Sequence, residues 1–248
     1  MTDFVVVIPA RYASVRLPGK ALREVNGRPV VEHVYRRGCE SGAREVIVAT
    51  DDDRIAAAAK GFGARVCMTG DRHRSGTERI AEVADLFDWS DDTIVVNLQG
   101  DEPTMPAELI DQCAELLDDS AADLSTLASP IASEADFNNP NVVKVILNER
   151  QEAIYFSRAP IPYSRNADQR DSARQAALHH HGIYAYRCSV LRRLVAANPS
   201  PLEIAEELEQ LRALSLGMII RVGRPTIRPG HGVDTEEDLV TAAIELAE

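Results

Sequence analysis

The sequence predicts an α/β fold built on a mostly parallel sheet with a smaller β-rich lobe, and three observations predict it. Through the first half of the chain, short β-rich runs alternate with longer helical patterns, the alternation that parallel sheets require. The early strand candidates are continuously apolar rather than alternating, as strands covered on both faces are. After Pro130 the rhythm changes to strand-like runs without long helices between them, which marks a lobe over about residues 130–187 of a single 1–248 domain.

The run Phe4-Val5-Val6-Val7-Ile8 is the first strand, and residues 45–50, 65–69 and 93–98 repeat its character. Between them, residues 29–38 carry apolar side chains at helical spacing behind a helix-initiating proline; 54–60 and 77–87 read the same way, and a further helix starts near Pro106. In the lobe, residues 142–147, 153–157 and 183–186 are strand-like. One continuous helix is expected over 201–216, a returning strand over 218–222 and a terminal helix over 234–247, where Thr235 and Asp238 have the spacing of a capping box.

Bulk properties exclude several classes of function. With 248 residues, 45% of them hydrophobic, the chain can bury a sizeable core. A formal net charge of −12 opposes a nucleic-acid partner, so a phosphorylated ligand must be held by a few locally placed cations. Cys39, Cys67, Cys113 and Cys188 are widely spaced with no CxxC pair, the pattern of reduced thiols in a cytoplasmic protein rather than of disulfides or a zinc site. The apolar run at residues 4–8 is too short for a signal peptide, and no stretch approaches the ~18 apolar residues of a membrane span.

In open α/β sheets ligands bind beyond the carboxyl ends of the strands, so the loops after the first and fourth strands are the places to search. The first reads Pro9-Ala10-Arg11-Tyr12-Ala13-Ser14-Val15-Arg16-Leu17-Pro18-Gly19-Lys20, with cations at 11, 16 and 20. It matches neither GxGxxG nor GxxxxGK[ST], and it reads either as a phosphate cradle or as a solvated basic loop. The second, Asn97-Leu98-Gln99-Gly100-Asp101-Glu102-Pro103, ends an apolar strand in a glycine and a carboxylate. Asp101 there suits a hard cation such as Mg²⁺, or caps the helix that follows. Asp234, in Gly230-His231-Gly232-Val233-Asp234, is a second acidic candidate that spacing alone does not bring to Asp101.

These segments carry a resemblance. The loop from Pro9 to Lys20 resembles the opening of the KDO cytidylyltransferases (CMP-KDO synthetases), enzymes that activate the acidic sugar 3-deoxy-manno-octulosonate. Ser75-Gly76-Thr77-Glu78-Arg79, Asn97 to Pro103, Tyr155-Phe156-Ser157-Arg158, His180 with Gly182-Ile183-Tyr184, Leu208-Glu209-Gln210-Leu211-Arg212 and Gly232-Val233-Asp234-Thr235 resemble further family motifs in order. The resemblance implies the nucleotide-diphospho-sugar transferase fold, a Rossmann-like sheet whose smaller lobe serves sugar binding and homodimerisation. It implies a cytoplasmic enzyme that moves CMP from CTP to the anomeric C2 hydroxyl of KDO for lipopolysaccharide biosynthesis, with Mg²⁺ as cofactor.

Position by position, it implies Arg11 and Lys20 on the CTP triphosphate, and Ala10, Ser75, Gly76, Arg79 and Gln99 around cytidine and its phosphates. Asp101 and Asp234 become the carboxylates for Mg²⁺. Arg158, His180, Tyr184, Glu209 and Gln210 become the lining of the sugar pocket, with the Arg158 guanidinium suited to the sugar carboxylate. Read without the resemblance, Ser75 and Gly76 are a helix cap and turn, Tyr184 a buried strand residue, and Glu209 and Gln210 a solvated helix face. His179-His180-His181 invites a metal reading, yet a strand sends alternate side chains to opposite faces. His181 stands where the family more usually has an apolar residue, and the polar stretch 164–175 matches no motif; it reads as a loop over the sugar site. No nucleophilic Ser or Cys is needed, and no general base is named. Two alternatives stay open: activation of a related acid sugar, such as a sialic acid or an amino-KDO, and a CTP sensor without turnover.

Overall fold

A computed structural model describes residues 2–13, 17–118 and 120–247. Strand β1 (Phe4–Ala10) runs through the middle of the sheet, and its neighbours are β4 (Glu45–Thr50) and β6 (Ile94–Asn97), both parallel to it. β5 (Arg65–Met68) adds in parallel beyond β4. On the other side of β6 come β10 (Leu178–Arg187), antiparallel to both its neighbours, then β7 (Leu124–Pro130), then β11 (Ile220–Gly223), parallel to β7. The order is therefore β11-β7-β10-β6-β1-β4-β5, which confirms a mixed α/β fold on a mostly parallel sheet.

The unbroken apolar character of β1 has a direct consequence. Phe4, Val6 and Ile8 join a core built with α1 (Val30–Glu40), α2 (Asp53–Gly61), α4 (Ala107–Asp118) and α10 (Glu236–Glu245). Val5 and Val7 face the other way, into a core shared with α3 (Gly76–Leu86) and α7 (Cys188–Ala196). Alternate side chains of one strand thus anchor opposite layers, and neither sheet face is left to water. No helix among the described residues is long and apolar enough to cross a membrane.

Residues 130–187 contribute α5 (Glu134–Asn138), a hairpin of β8 (Lys144–Leu147) and β9 (Ala153–Ser157), α6 (Arg170–Ala176), and β10 itself. The hairpin hangs off β10 through β8, whereas most of β10 lies within the main sheet. Beyond the early strands, a two-stranded ribbon pairs Glu24–Val25 with Arg28–Pro29; these are β2 and β3.

Two expectations change and one strand goes unpredicted. The stretch 164–175, read as a loop, holds a 3-10 turn over Ala167–Gln169 and then α6. The single helix expected over 201–216 is two helices, α8 (Pro201–Glu206) and α9 (Gln210–Ser215), because Glu207 turns into the left-handed region at φ 51°. The Arg158 guanidinium takes the carbonyls of Glu206 and Glu207, which a continuing helix would offer to its next turn, and Leu208 is drawn into the core. β7 escapes the apolar-run criterion because Ser125 and Thr126 stand inside it; both are buried, with Ser125 Oγ donating to the Cys113 carbonyl and Thr126 Oγ1 to the Ile183 carbonyl. The terminal helix starts at Glu236, with Thr235 and Asp238 forming the expected capping box.

Candidate functional site

Two neighbouring cavities open beyond the carboxyl ends of β1 and β6. The larger, of about 850 Å³, is lined by Pro9, Ala10 and Arg11 from β1 and its loop, and by Ser75, Gly76 and Arg79 at the start of α3. Gln99, Gly100 and Asp101 after β6, with Lys20, Glu207 and Asp234, complete it. The smaller, of about 330 Å³, is lined among others by Asn141, His180, Tyr184, Glu209 and Gln210, and it shares Gln99 with the larger.

Close backbone approach makes this convergence possible. A Cβ on Gly100 would lie 2.7 Å from the Pro9 carbonyl oxygen, so only glycine lets the loop after β6 run against the end of β1. The 230–234 segment is laced to the same loop: the Val233 amide donates to the Asp101 carbonyl at 2.7 Å and the His231 amide to Thr104 Oγ1 at 2.8 Å. Side chains on Gly230 and Gly232 would collide with Thr104 and Glu102 respectively. These glycines carry Asp234 to Asp101.

The outcome is one ammonium between two carboxylates. Lys20 Nζ lies 2.6 Å from Asp101 Oδ2 and 3.0 Å from Asp234 Oδ1. Burial alone acts to lower the Lys20 pKa, but the attraction of Asp101 and Asp234 outweighs it and holds the group above its ordinary value. Glu102, which sequence reasoning passed over, stands against them: burial first, then repulsion from Asp101 and Asp234, pushes its carboxyl up to about 8, against the pull of Lys20.

The donor chemistry around Lys20 fits a hard divalent cation. Asp101 and Asp234 offer only oxygen, converge on one point and remain partly exposed at 34% and 44%. Mg²⁺ takes one or two protein carboxylates and completes its shell with water and phosphate oxygens. Arg11 is exposed at the mouth of the larger cavity. Ser14, Val15 and Arg16, the middle of the basic loop, lie outside the described residues.

Ser75 caps α3 by accepting from the Glu78 amide, and its hydroxyl also donates to Glu209 Oε1 at 2.7 Å. Thr77 Oγ1 donates to Glu209 Oε2 at 2.7 Å, so both oxygens of Glu209 are held at the helix start that separates the cavities. The cap and the site are therefore the same residues. Arg79 is buried at 3% exposure and paired with Asp51 at 3.0 Å, with Thr69 Oγ1 as a further acceptor. Sequence reasoning also missed His73, which lines the larger cavity and is held by Glu82.

In the smaller cavity, His180 Nε2 meets Thr126 Oγ1 at 3.1 Å, and its ring lies edge-on to Phe156 at 5.0 Å. The Tyr184 hydroxyl is buried without a hydrogen bond of good geometry among the described residues, and Thr126 is the side chain that acts on it. Burial, with His181 and His179 adding to it, drops the His180 pKa to about 3. His179 and His181 share a side of β10, their rings 4.8 Å apart, and His181 meets Ser129 Oγ rather than His180.

Arg158 is the expected site residue that the structure sets apart. Among the described residues it lines neither cavity. Its Nε donates to the Glu206 carbonyl at 2.7 Å, Nη1 to Pro140 at 3.0 Å and Nη2 to Glu207 at 3.3 Å, while its amide donates to Glu206 Oε2 at 2.9 Å. A guanidinium spread over three carbonyls is fixing a chain break, not presenting a fork to an anion. It acts on the pockets indirectly, since Glu207 lines the larger and Glu209 and Gln210 the smaller.

A family model described as cytidylyltransferase matches residues 5–220. A 3-deoxy-manno-octulosonate cytidylyltransferase of Halorhodospira halophila (strain DSM 244 / SL1) is 52% identical, across 98% of this chain and 96% of that protein. Among solved structures, a CMP:2-keto-3-deoxy-manno-octonic acid synthetase complexed with CTP superposes with a TM-score of 0.90 at 43% identity, covering 99% of each chain. A cytidylyltransferase from Leptospira borgpetersenii serovar Hardjo-bovis (strain JB197) shares the fold, with a TM-score of 0.60 at 18% identity over 96% of this chain and 83% of that one.

Proposed function

The chain belongs to the cytidylyltransferase family, and from that premise we propose how its paired cavities work: it is an enzyme that transfers CMP from CTP to KDO, releasing pyrophosphate. The observation that carries the reading is the meeting of Asp101, Asp234 and Lys20 on the wall of the larger cavity, which shares Gln99 with the smaller. The relative bearing the name 3-deoxy-manno-octulosonate cytidylyltransferase supports the choice of sugar.

CTP occupies the larger cavity, and the sugar acid the smaller. The C2 hydroxyl oxygen of the sugar bonds to the α-phosphorus as the bond from that phosphorus to the β-phosphate bridging oxygen breaks. Pyrophosphate leaves with the electron pair, and the hydroxyl proton passes to solvent. An anionic sugar must approach a nucleotide carrying roughly four negative charges, so positioning and charge neutralisation dominate over covalent help.

Arg11 and Lys20 take up charge on the triphosphate. Ala10, Gly76 and Gly100 are small enough to let nucleotide and backbone meet closely, and Ser75, Arg79 and Gln99 supply polar contacts to it. Asp101 and Asp234 would hold Mg²⁺, which would supply polarisation of the phosphates and stabilisation of the departing pyrophosphate, worth several kcal/mol. His180, kept neutral by burial, Tyr184 with its unmatched hydroxyl, and Glu209 with Gln210 line the sugar side. The enzyme works in the cytoplasm as a homodimer in lipopolysaccharide biosynthesis, the setting that goes with this sugar.

Pyrophosphate release tests the assignment, run with CTP, UTP or ATP against KDO, an amino-KDO or a sialic acid. Release that needs CTP and KDO together is expected. Release with another sugar acid but not KDO overturns the substrate and keeps the chemistry; CTP binding without release with any sugar overturns the enzyme reading.

A further inference from the structure

We propose that Tyr12 is a positioning residue for the nucleotide loop, a wedge that fixes the spacing of Arg11 and Lys20 because Gly19 and Arg54 close on its ring. The proposal rests on the nucleotide reading of the larger cavity. Tyr12 follows Arg11 directly and packs, partly buried, against the core between the sheet and α1, α2 and α4. Its carbonyl accepts the Gly19 amide at 3.2 Å, which ties the two ends of the loop together one residue short of Lys20. Gly19 stands at φ +68°, and a Cβ there would lie 3.1 Å from the Tyr12 ring. Glycine is therefore favoured twice at one position, once by the backbone and once by the ring, which a side chain there would push aside.

The face of the ring is covered from a different element. The Arg54 guanidinium carbon sits 3.3 Å from the ring centroid, although the Arg54 side chain is 59% exposed. An exposed arginine holds such a place only if something else orders it, and Asp52 does. Asp52 caps α2 by accepting the Arg54 amide at 2.9 Å and the Ile55 amide at 3.3 Å, and the same carboxylate forks onto Arg54 Nε at 3.0 Å and Nη2 at 2.6 Å. A helix cap at the end of β4 thereby orders a cation over the ring that sets the loop after β1. Immediately after Gly19 the chain enters the short 3-10 turn Lys20–Leu22, closed by the Leu22 amide on the Gly19 carbonyl at 2.8 Å. The direction of the Lys20 side chain toward Asp101 and Asp234 thus depends on where Gly19 rests against Tyr12.

The test is steady-state kinetics together with calorimetric CTP binding, on the wild type, Y12A, Y12F, R54A and Y12A/R54A. Y12A is expected to raise both the KM and the Kd for CTP about tenfold, since a loop displaced by a fraction of an ångström loses its phosphate contacts, with the sugar KM moving less than about twofold. Y12F keeps the ring and restores wild-type values. R54A shifts CTP in the same direction by a smaller factor, and adds nothing in the Y12A background. The proposal is overturned by a Y12A variant with unchanged CTP binding, by equal losses for both substrates, or by a Y12F variant as impaired as Y12A. A wild type that binds CTP without releasing pyrophosphate contradicts the transferase reading alone, and the binding series still decides the role of Tyr12.

Discussion

Asp101 and Asp234, from opposite halves of the chain, meet on the single ammonium of Lys20 at 2.6 and 3.0 Å. Three segments with no local reason to associate therefore share one charge centre, and the glycines at 100, 230 and 232 are what allow the approach.

If these carboxylates hold the catalytic cation, removing either should abolish turnover without unfolding the protein. D101A and D234A are each expected to lower kcat on the order of a thousandfold, because several kcal/mol of charge stabilisation are lost at about a decade per 1.4 kcal/mol. Near-normal turnover in either variant, at saturating Mg²⁺, removes that residue from the metal site.

Glu209 holds Ser75 and Thr77 at the start of α3, on the wall between the cavities. E209A should raise the KM for CTP and for the sugar together, by about tenfold each, since it frees a helix start that lines one cavity while removing a side chain from the other. A sugar-only effect in initial-rate measurements would confine Glu209 to direct sugar contact.

Arg158 secures the left-handed break at Glu207 from outside both cavities. R158A is expected to lower the melting temperature and raise both KM values by comparable factors, and R158K should fail to rescue, because an ammonium cannot span the carbonyls of Pro140, Glu206 and Glu207. A rise in the sugar KM far above that for CTP, at unchanged melting temperature, would instead return the guanidinium to the sugar carboxylate.

The half-buried histidines of β10 give a pH dependence whose sign is fixed. His180 and His181 are pushed down to about 3 and about 4 in the folded chain, chiefly by burial, against an unfolded value near 6.5. Between those limits the unfolded chain binds more protons, so this contribution to stability is complete above about pH 6.5 and is lost as pH falls toward 3–4. The wild type should lose melting temperature from pH 7 to 5 more steeply than H181Q, which has no imidazole to protonate. Parallel slopes would show that His181 is not buried as described.

Much of this was legible in the sequence, for identifiable reasons. The strand at 4–8 and the helix at 77–87 carry periodic apolar signals that packing on both sheet faces reinforces, and the capping box at Thr235 is local chemistry. The break at Glu207 was not legible, because its cause is Arg158, far away along the chain, bonding carbonyls in the folded state. β7 was hidden by Ser125 and Thr126, whose hydroxyls are satisfied only once neighbouring elements arrive. In the site, Asp101 and Lys20 stood out by position in their loops; Asp234 needed either the resemblance or the folded glycine lacing to join them. The commitment of Glu209 to two hydroxyls, and of Arg158 to carbonyls, could come only from three dimensions.

The central claim is transfer at the α-phosphorus, and phosphorus NMR of the wild-type enzyme with CTP, KDO and Mg²⁺ tests it most directly. The account predicts that pyrophosphate and a new CMP phosphodiester signal rise one to one, and only when CTP and KDO are both present. Orthophosphate in place of pyrophosphate, or an unchanged CTP spectrum with both substrates bound, would contradict it.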